Sequence, residues 1–381
     1  MQRRQFMQAL IGTLACSAMP AWATGAPTQA TATSSTRTRI GAAWRGLAAT
    51  SPQKVGILDI DWINKKVDIA ATVTVPSRAH GFLAEADGNL LAMAFRPGPW
   101  LLRMSPTGQR LNFVQIADES SQRRFSGHMI HSADAAVLLT TEYEPRTGAG
   151  WIGVRDPSTL KKLDEWPSHG KDPHQLLLTP QGDIVIANGG VPRSLDGQTK
   201  LSLADMDSSL VLLDGRNGAL RGQWRLSDSR LSLRHMAWNT LPGQSAPVLG
   251  IALQAEHDDR EKRLKAPILA LWNGQSLTMP ALTADAGGYA GDIAPAKDGF
   301  ILSAQTSHQA LWWQHGAPEK LQVIARMQEA CALCPTQALA GGVLIAGARG
   351  IGRWHAQEPA NLLPWPEPIA LDNHWVTLPQ A

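Results

Sequence analysis

The chain has 381 residues, a formal net charge of +3, 11 histidines and three cysteines. A charge this small argues against nucleic acid as a partner. No segment approaches the unbroken apolar length of a membrane span, so the expectation is a protein with no membrane span after processing.

The chain opens MQRRQFMQALIGTLACSAMPAWA, a basic start, a short apolar run and small residues before a cleavage point after Ala23. This reads as a removable export signal. Arg3-Arg4 followed by Phe6 resembles the twin-arginine signal, which passes folded proteins across the membrane and predicts a periplasmic location. The alternative, lipid anchoring at Cys16, is weakened by Thr13-Leu14-Ala15, a poor lipobox. Residues 24–38 are rich in Thr, Ala and Ser without apolar periodicity and read as a flexible leader. One domain is expected over residues 39–381. Cys331 and Cys334 remain, and in an oxidising compartment they could close a small disulfide; no histidine directly follows Cys334, which rules out the usual haem-attachment pattern.

From residue 39 onward a unit repeats: a turn, a histidine, an apolar run, a second turn, then a more continuous apolar run and two further strands. KDPHQLLLTPQGDIVIANGG shows it most plainly, with His174 at the mouth of the hairpin. His80 leads into GFLAEADGNLLAMAFRPG, His128 into MIHSADAAVLLTTEYEP and His235 into MAWNTLPGQSAPVLGIALQAE; Tyr289 and Cys331 take the equivalent place in two further copies. Four short strands per unit with a fixed turn grammar predict a β-propeller, rather than a pair of sandwiches. Three N-terminal strands lack an innermost partner, and LDNHWVTL at the C-terminus lacks the other three. Joining them predicts an all-β, seven-bladed β-propeller closed by a C-terminal innermost strand.

The start of each innermost strand and the end of each second strand meet at one end of the central channel. The first position holds His374, His80, His128, His174, His235, Tyr289 and Cys331, candidates for a metal site because imidazole, phenol and thiolate bind first-row transition metals such as iron or copper. The second holds Arg45, Arg96, Glu142, Asn188, Glu256, Gln305 and Arg349. The arginines would grip a small anionic ligand, and Glu142 or Asn188 would fix an imidazole tautomer. The plainer reading of each histidine is structural, a hydrogen bond to the neighbouring blade. The excursion from Pro192 to Asp207 would rise over the same face as a lid or docking loop. The tryptophans Trp151, Trp224, Trp238, Trp272, Trp312 and Trp313 are expected between blades.

GHMIHSADAAVLLTTEYEPRTGAGWIGVRD, DPHQLLLTPQGDIVIANGG, SSLVLLDGRNGALRGQW with SLRHMAW, and the closing DNHWVTL together resemble the bacterial domain-of-unknown-function family 1513. The resemblance implies a twin-arginine-exported periplasmic propeller, related to quinoprotein amine dehydrogenase β-chain-like propellers and associated with imelysin-type iron-uptake proteins. It supplies no reaction. The functional expectation is therefore a propeller that binds iron, copper or a small anion at its channel mouth as an accessory of iron uptake. The alternatives are a lactonase- or quinoprotein-like enzyme using the same mouth, or a protein-docking scaffold.

Overall fold

The computed structural model describes residues 36–379 apart from 198, 281–285 and 337–339. The expected signal, and the leader up to residue 35, lie outside the described residues. Regular structure begins at Arg37, two residues ahead of the expected domain start.

The chain forms seven antiparallel sheets of four strands. In six of them the strands follow one another in sequence. In the first blade the C-terminal strand Ile369–Thr377 lies innermost and pairs with Arg37–Gly46, placing Val376 opposite Gly41 and Leu371 opposite Trp44. The remaining strands of that blade are Gln53–Asp61 and Lys66–Val75. This closure removes two sheet edges that would otherwise offer unpaired backbone groups, and it is the ring expected from the two sequence fragments.

Burial explains the repeat. Second strands such as Leu90–Ala94, Ile184–Asn188 and Val343–Gly347 are buried along their whole length, because each blade is covered on both faces by its neighbours. Successive residues in a strand point to opposite faces. Leu90 and Ala92 accordingly pack with Val55 and Ile57 of the first blade, while Leu91 and Met93 pack with Phe125 and Leu138 of the third. The outermost strand Lys66–Val75 faces solvent on one side and alternates buried with exposed.

The core is thus a set of apolar layers, one between each pair of adjacent blades. The layer between the seventh and first blades holds Trp44, Trp62, Trp365 and Trp375 together with Cys331 and Cys334. Burying four indoles at the seam gives the closing strand an apolar anchor, worth about 2–3 kcal/mol for each large side chain fully buried. Trp272, Trp312 and Trp313 are buried in such layers, and Trp224 and Trp238 pack partly buried against one of them.

Candidate metal centre at the channel mouth

Each of the five ring histidines stands on an innermost strand where the backbone ladder to the second strand breaks register. The shift falls between Ala79 and Gly81 around His80, and between Phe125 and Met129 around His128. It falls between Pro173 and Leu176 around His174, between Leu233 and Met236 around His235, and opposite Ala42 to Trp44 around His374. An irregularity of this kind bends the strand and re-aims the side chain it carries. The sequence places the histidines at hairpin mouths, and the bulges turn them inward.

The five imidazoles form a closed cycle. Ring centroids lie 4.8 Å apart for His80 and His128, 4.9 Å for His128 and His174, and 4.4 Å for His174 and His235. The cycle closes with 4.1 Å from His235 to His374 and 4.5 Å from His374 to His80. Nε2 of His174 and Nε2 of His235 are 2.8 Å apart, so one carries the proton and the other accepts it. All five residues are buried.

Hydrogen bonding leaves this cycle unfinished. Both ring nitrogens of His80, Nε2 of His128, Nδ1 of His174 and Nε2 of His374 are buried without a hydrogen-bond partner. A satisfied structural histidine has a partner for its polar atoms, and a buried orphan costs about 1–3 kcal/mol. Burial also holds His80, His128, His174 and His235 well below the ordinary histidine range, and neighbouring imidazoles and arginines push the same way. Neutral imidazole with a free lone pair is the form that ligates metal.

One ligand nitrogen from each of His80, His128, His235 and His374 lies within 4.8 Å of the other three. Nitrogens bonded to a common ion at ~2.1 Å lie ~3.4 Å apart in a tetrahedral shell and ~4.2 Å apart only when they face each other across the ion. An inward movement of up to about 0.8 Å per side chain would bring all four into such a shell.

Asp292 joins the cycle from the sixth blade. Its Oδ2 is 3.2 Å from Nδ1 of His374 and accepts a 2.9 Å hydrogen bond from the Leu333 backbone N–H. A carboxylate on one ring nitrogen fixes the tautomer and leaves the other nitrogen, here the unpartnered Nε2, with its lone pair free to ligate. In the seventh blade, between Asp292 and His374 around the ring, the residue before the ladder begins is Ala332, whose small buried side chain leaves room for this contact.

Residues 73–378 match the family described as "Protein of unknown function (DUF1513)". The chain belongs to that family. No curated protein sequence matches this DUF1513 chain. Its fold is similar to that of hydrazine synthase from Kuenenia stuttgartiensis, at 11% identity and a TM-score of 0.57, covering 83% of this chain and 92% of that one. It is also similar to a catalytically inactive virginiamycin B lyase from Staphylococcus aureus with quinupristin, at 11% identity and a TM-score of 0.48, covering 76% and 84%.

Among the described residues Cys331 is not in the group of possible metal ligands of this DUF1513 propeller, and Tyr289 stands on the approach to its sixth blade. Tyr289 bridges Gln254 on the approach to the sixth blade, three residues ahead of Asp292, and burial raises its hydroxyl above the ordinary phenol range. Cys331 is one residue ahead of Ala332, with its Sγ toward the carbonyls of Ala346 and Asp372. Burial pushes this thiol up to about 12 and Cys334 well above its usual value. Both cysteines are free thiols, so this pair closes no disulfide.

The residues expected on the outer rim divide. Glu142 is fully buried inside its blade, accepting from Arg155 Nη2 at 2.7 Å and Lys162 Nζ at 2.8 Å, so its carboxylate is occupied away from the imidazoles. Asn188 is fastened to Ser168, and among the described residues neither side chain hydrogen-bonds to a ring imidazole. Arg45 folds back onto the carbonyls of Gly46, Leu47 and Ala48. Arg349 is exposed, and Gln305 opens a short 3-10 turn. Arg96 and Glu256 are engaged in ion pairs. Arg96 pairs with Asp172, and Glu256 accepts from Lys200 Nζ at 2.5 Å.

Asp292, Asp172, Arg234 and Arg193 were absent from the sequence expectation. Counting from the preceding Gly selects Tyr289, whereas the residue immediately before the ladder starts is Asp292. Arg234 adjoins His235 within the same bulge, and Arg193 comes from the excursion after the second strand.

Proposed function

We propose that this propeller binds a first-row transition-metal ion, iron or copper, through His80, His128, His235 and His374, with Asp292 orienting His374 and His174 completing the ring. The observation that carries the reading is the set of buried, neutral imidazoles with unpartnered nitrogens converging on one point. Imidazole suits iron and copper alike. The twin-arginine-like start and the family resemblance support a periplasmic role beside imelysin-type iron-uptake proteins.

The test is elemental analysis of the purified protein beside a His80→Ala/His374→Ala variant that still folds. Near-stoichiometric iron or copper in the parent and none in the variant is the expected result. No metal in the parent after reconstitution with Fe(II) and Cu(II) would overturn the reading.

A further inference from the structure

We propose that Arg96, Arg193, Arg234 and Tyr143 form a second subsite beside the histidines that binds an oxyanion of the phosphate or carboxylate type. Asp172 sits at the middle of this group, with a left-handed φ of 53° and 7% exposure. It accepts from Arg96 Nη1 and from Arg234 Nη1 at 3.1 Å, with Arg193 Nε 3.9 Å away. One carboxylate thus faces three guanidinium groups.

Several buried donors in this group are also left over. Nε of Arg234, in a residue 1% exposed, and Nε of Arg193 have no hydrogen-bond partner, and neither has the Tyr143 hydroxyl in a residue 6% exposed. All three can donate. The other carboxylates nearby are taken, Glu256 by Lys200 and Asp372 by the bidentate Arg78 at 2.6 and 2.9 Å. With those pairs closed, three guanidinium groups, Arg96, Arg193 and Arg234, face the single carboxylate of Asp172, leaving two positive charges in excess around it. Excess buried charge is strongly unfavourable unless a counter-charge arrives, and planar guanidinium forks match the oxygens of a carboxylate or phosphate.

The position ties the subsite to the channel. Arg234 precedes His235 in the chain and Asp172 stands two residues before His174. The fields of Arg96 and Arg234 reach the imidazole of His174, Arg96 also that of His128, and Arg234 also that of His235. The loop carrying Arg193 also covers the site. Gly197, at φ +69°, comes so close that an added Cβ would lie 3.0 Å from the Tyr143 hydroxyl and 3.1 Å from Pro97, and Lys200 ties the loop to Glu256 on the fifth blade. A ligand entering here would be gripped by the loop and by three blades together.

The subsite stands on the arginines and does not need the metal. Its test is therefore calorimetric titration of the metal-free full-length protein at pH 7 in low-chloride buffer, with inorganic phosphate and, separately, malonate. The expected result is one equivalent of at least one anion per chain, weakened tenfold or more in Arg193→Ala and partly restored in Arg193→Lys. Tyr143→Phe, which removes one oxygen and keeps the ring, should weaken binding severalfold and carries the test if Arg193→Ala does not fold. Phosphate binding without malonate binding would assign the phosphate class, and the converse the carboxylate class. No binding of either anion by the parent, or undiminished binding in the folded variants, would overturn the proposal.

Discussion

Nδ1 of His374 lies 3.2 Å from Oδ2 of Asp292, although the two residues are 82 positions apart and belong to different blades. The contact exists because the C-terminal strand closes the ring, which brings the last histidine across Ala332 to the start of the sixth blade. In Asp292→Asn the amide keeps an oxygen for the Leu333 N–H but loses the charge facing His374. Metal affinity should fall about 10- to 100-fold, the usual effect of losing an outer carboxylate, with little change in melting temperature. Chelator competition checks this, and unchanged affinity would contradict the assigned role.

Glu142→Gln should behave in the opposite way. Arg155 is fully buried and would keep only Glu119 as an anionic partner, at 2.8 Å. Removing one side of a buried ion pair costs about 3–5 kcal/mol, and the remaining partner places this case at the lower end. Denaturant unfolding should show that loss while metal stoichiometry stays intact.

The metal-free protein should lose stability in mild acid. His80, His128, His174 and His235 are held well below the ordinary histidine value by burial, and Arg78, Arg96 and Arg234 deepen the shift. Below about pH 6.5 the unfolded chain takes up protons that the folded chain refuses. The stabilisation is complete above that value and is lost as the pH falls toward the depressed folded values, at up to about 1.4 kcal/mol per pH unit for each histidine. Denaturant midpoints measured from pH 7.5 down to 5 should fall. A flat profile would mean that the imidazoles are not buried in neutral form.

Cys331 and Cys334 should resist thiol reagents in the native state. Both are buried and both thiols are raised, Cys331 to about 12, so little reactive thiolate exists at pH 8. Mass spectrometry after alkylation should show both unmodified until denaturant is added. Rapid native labelling would contradict their place in the seam layer.

The blade count, the closure and the five histidines were legible because each depends on local pattern: strand alternation, turn residues and one polar residue at a fixed point of a repeat. Asp292 was not, since its blade has an innermost strand of only four residues, Ile293–Ala296, and the shorter hairpin displaces the count that selects Tyr289. The cationic cluster was hidden for another reason. Arg45, Arg96 and Arg349 occupy equivalent repeat positions, yet side-chain direction there depends on each blade's own turn, and only Arg96 points to Asp172. Arg193 belongs to an excursion that no repeat describes. Glu142 occupies the expected repeat position but points into its own blade, where Arg155 and Lys162 hold it.

The most direct measurement of the central claim is X-ray absorption spectroscopy on the protein reconstituted with one equivalent of copper or iron. The account predicts a first shell of three to four nitrogen neighbours at roughly 2.0–2.1 Å with the outer-shell scattering of imidazole, lost in His80→Ala/His374→Ala. A shell of oxygen alone, or an unchanged spectrum in that variant, would place the metal elsewhere and contradict the histidine ring as its site.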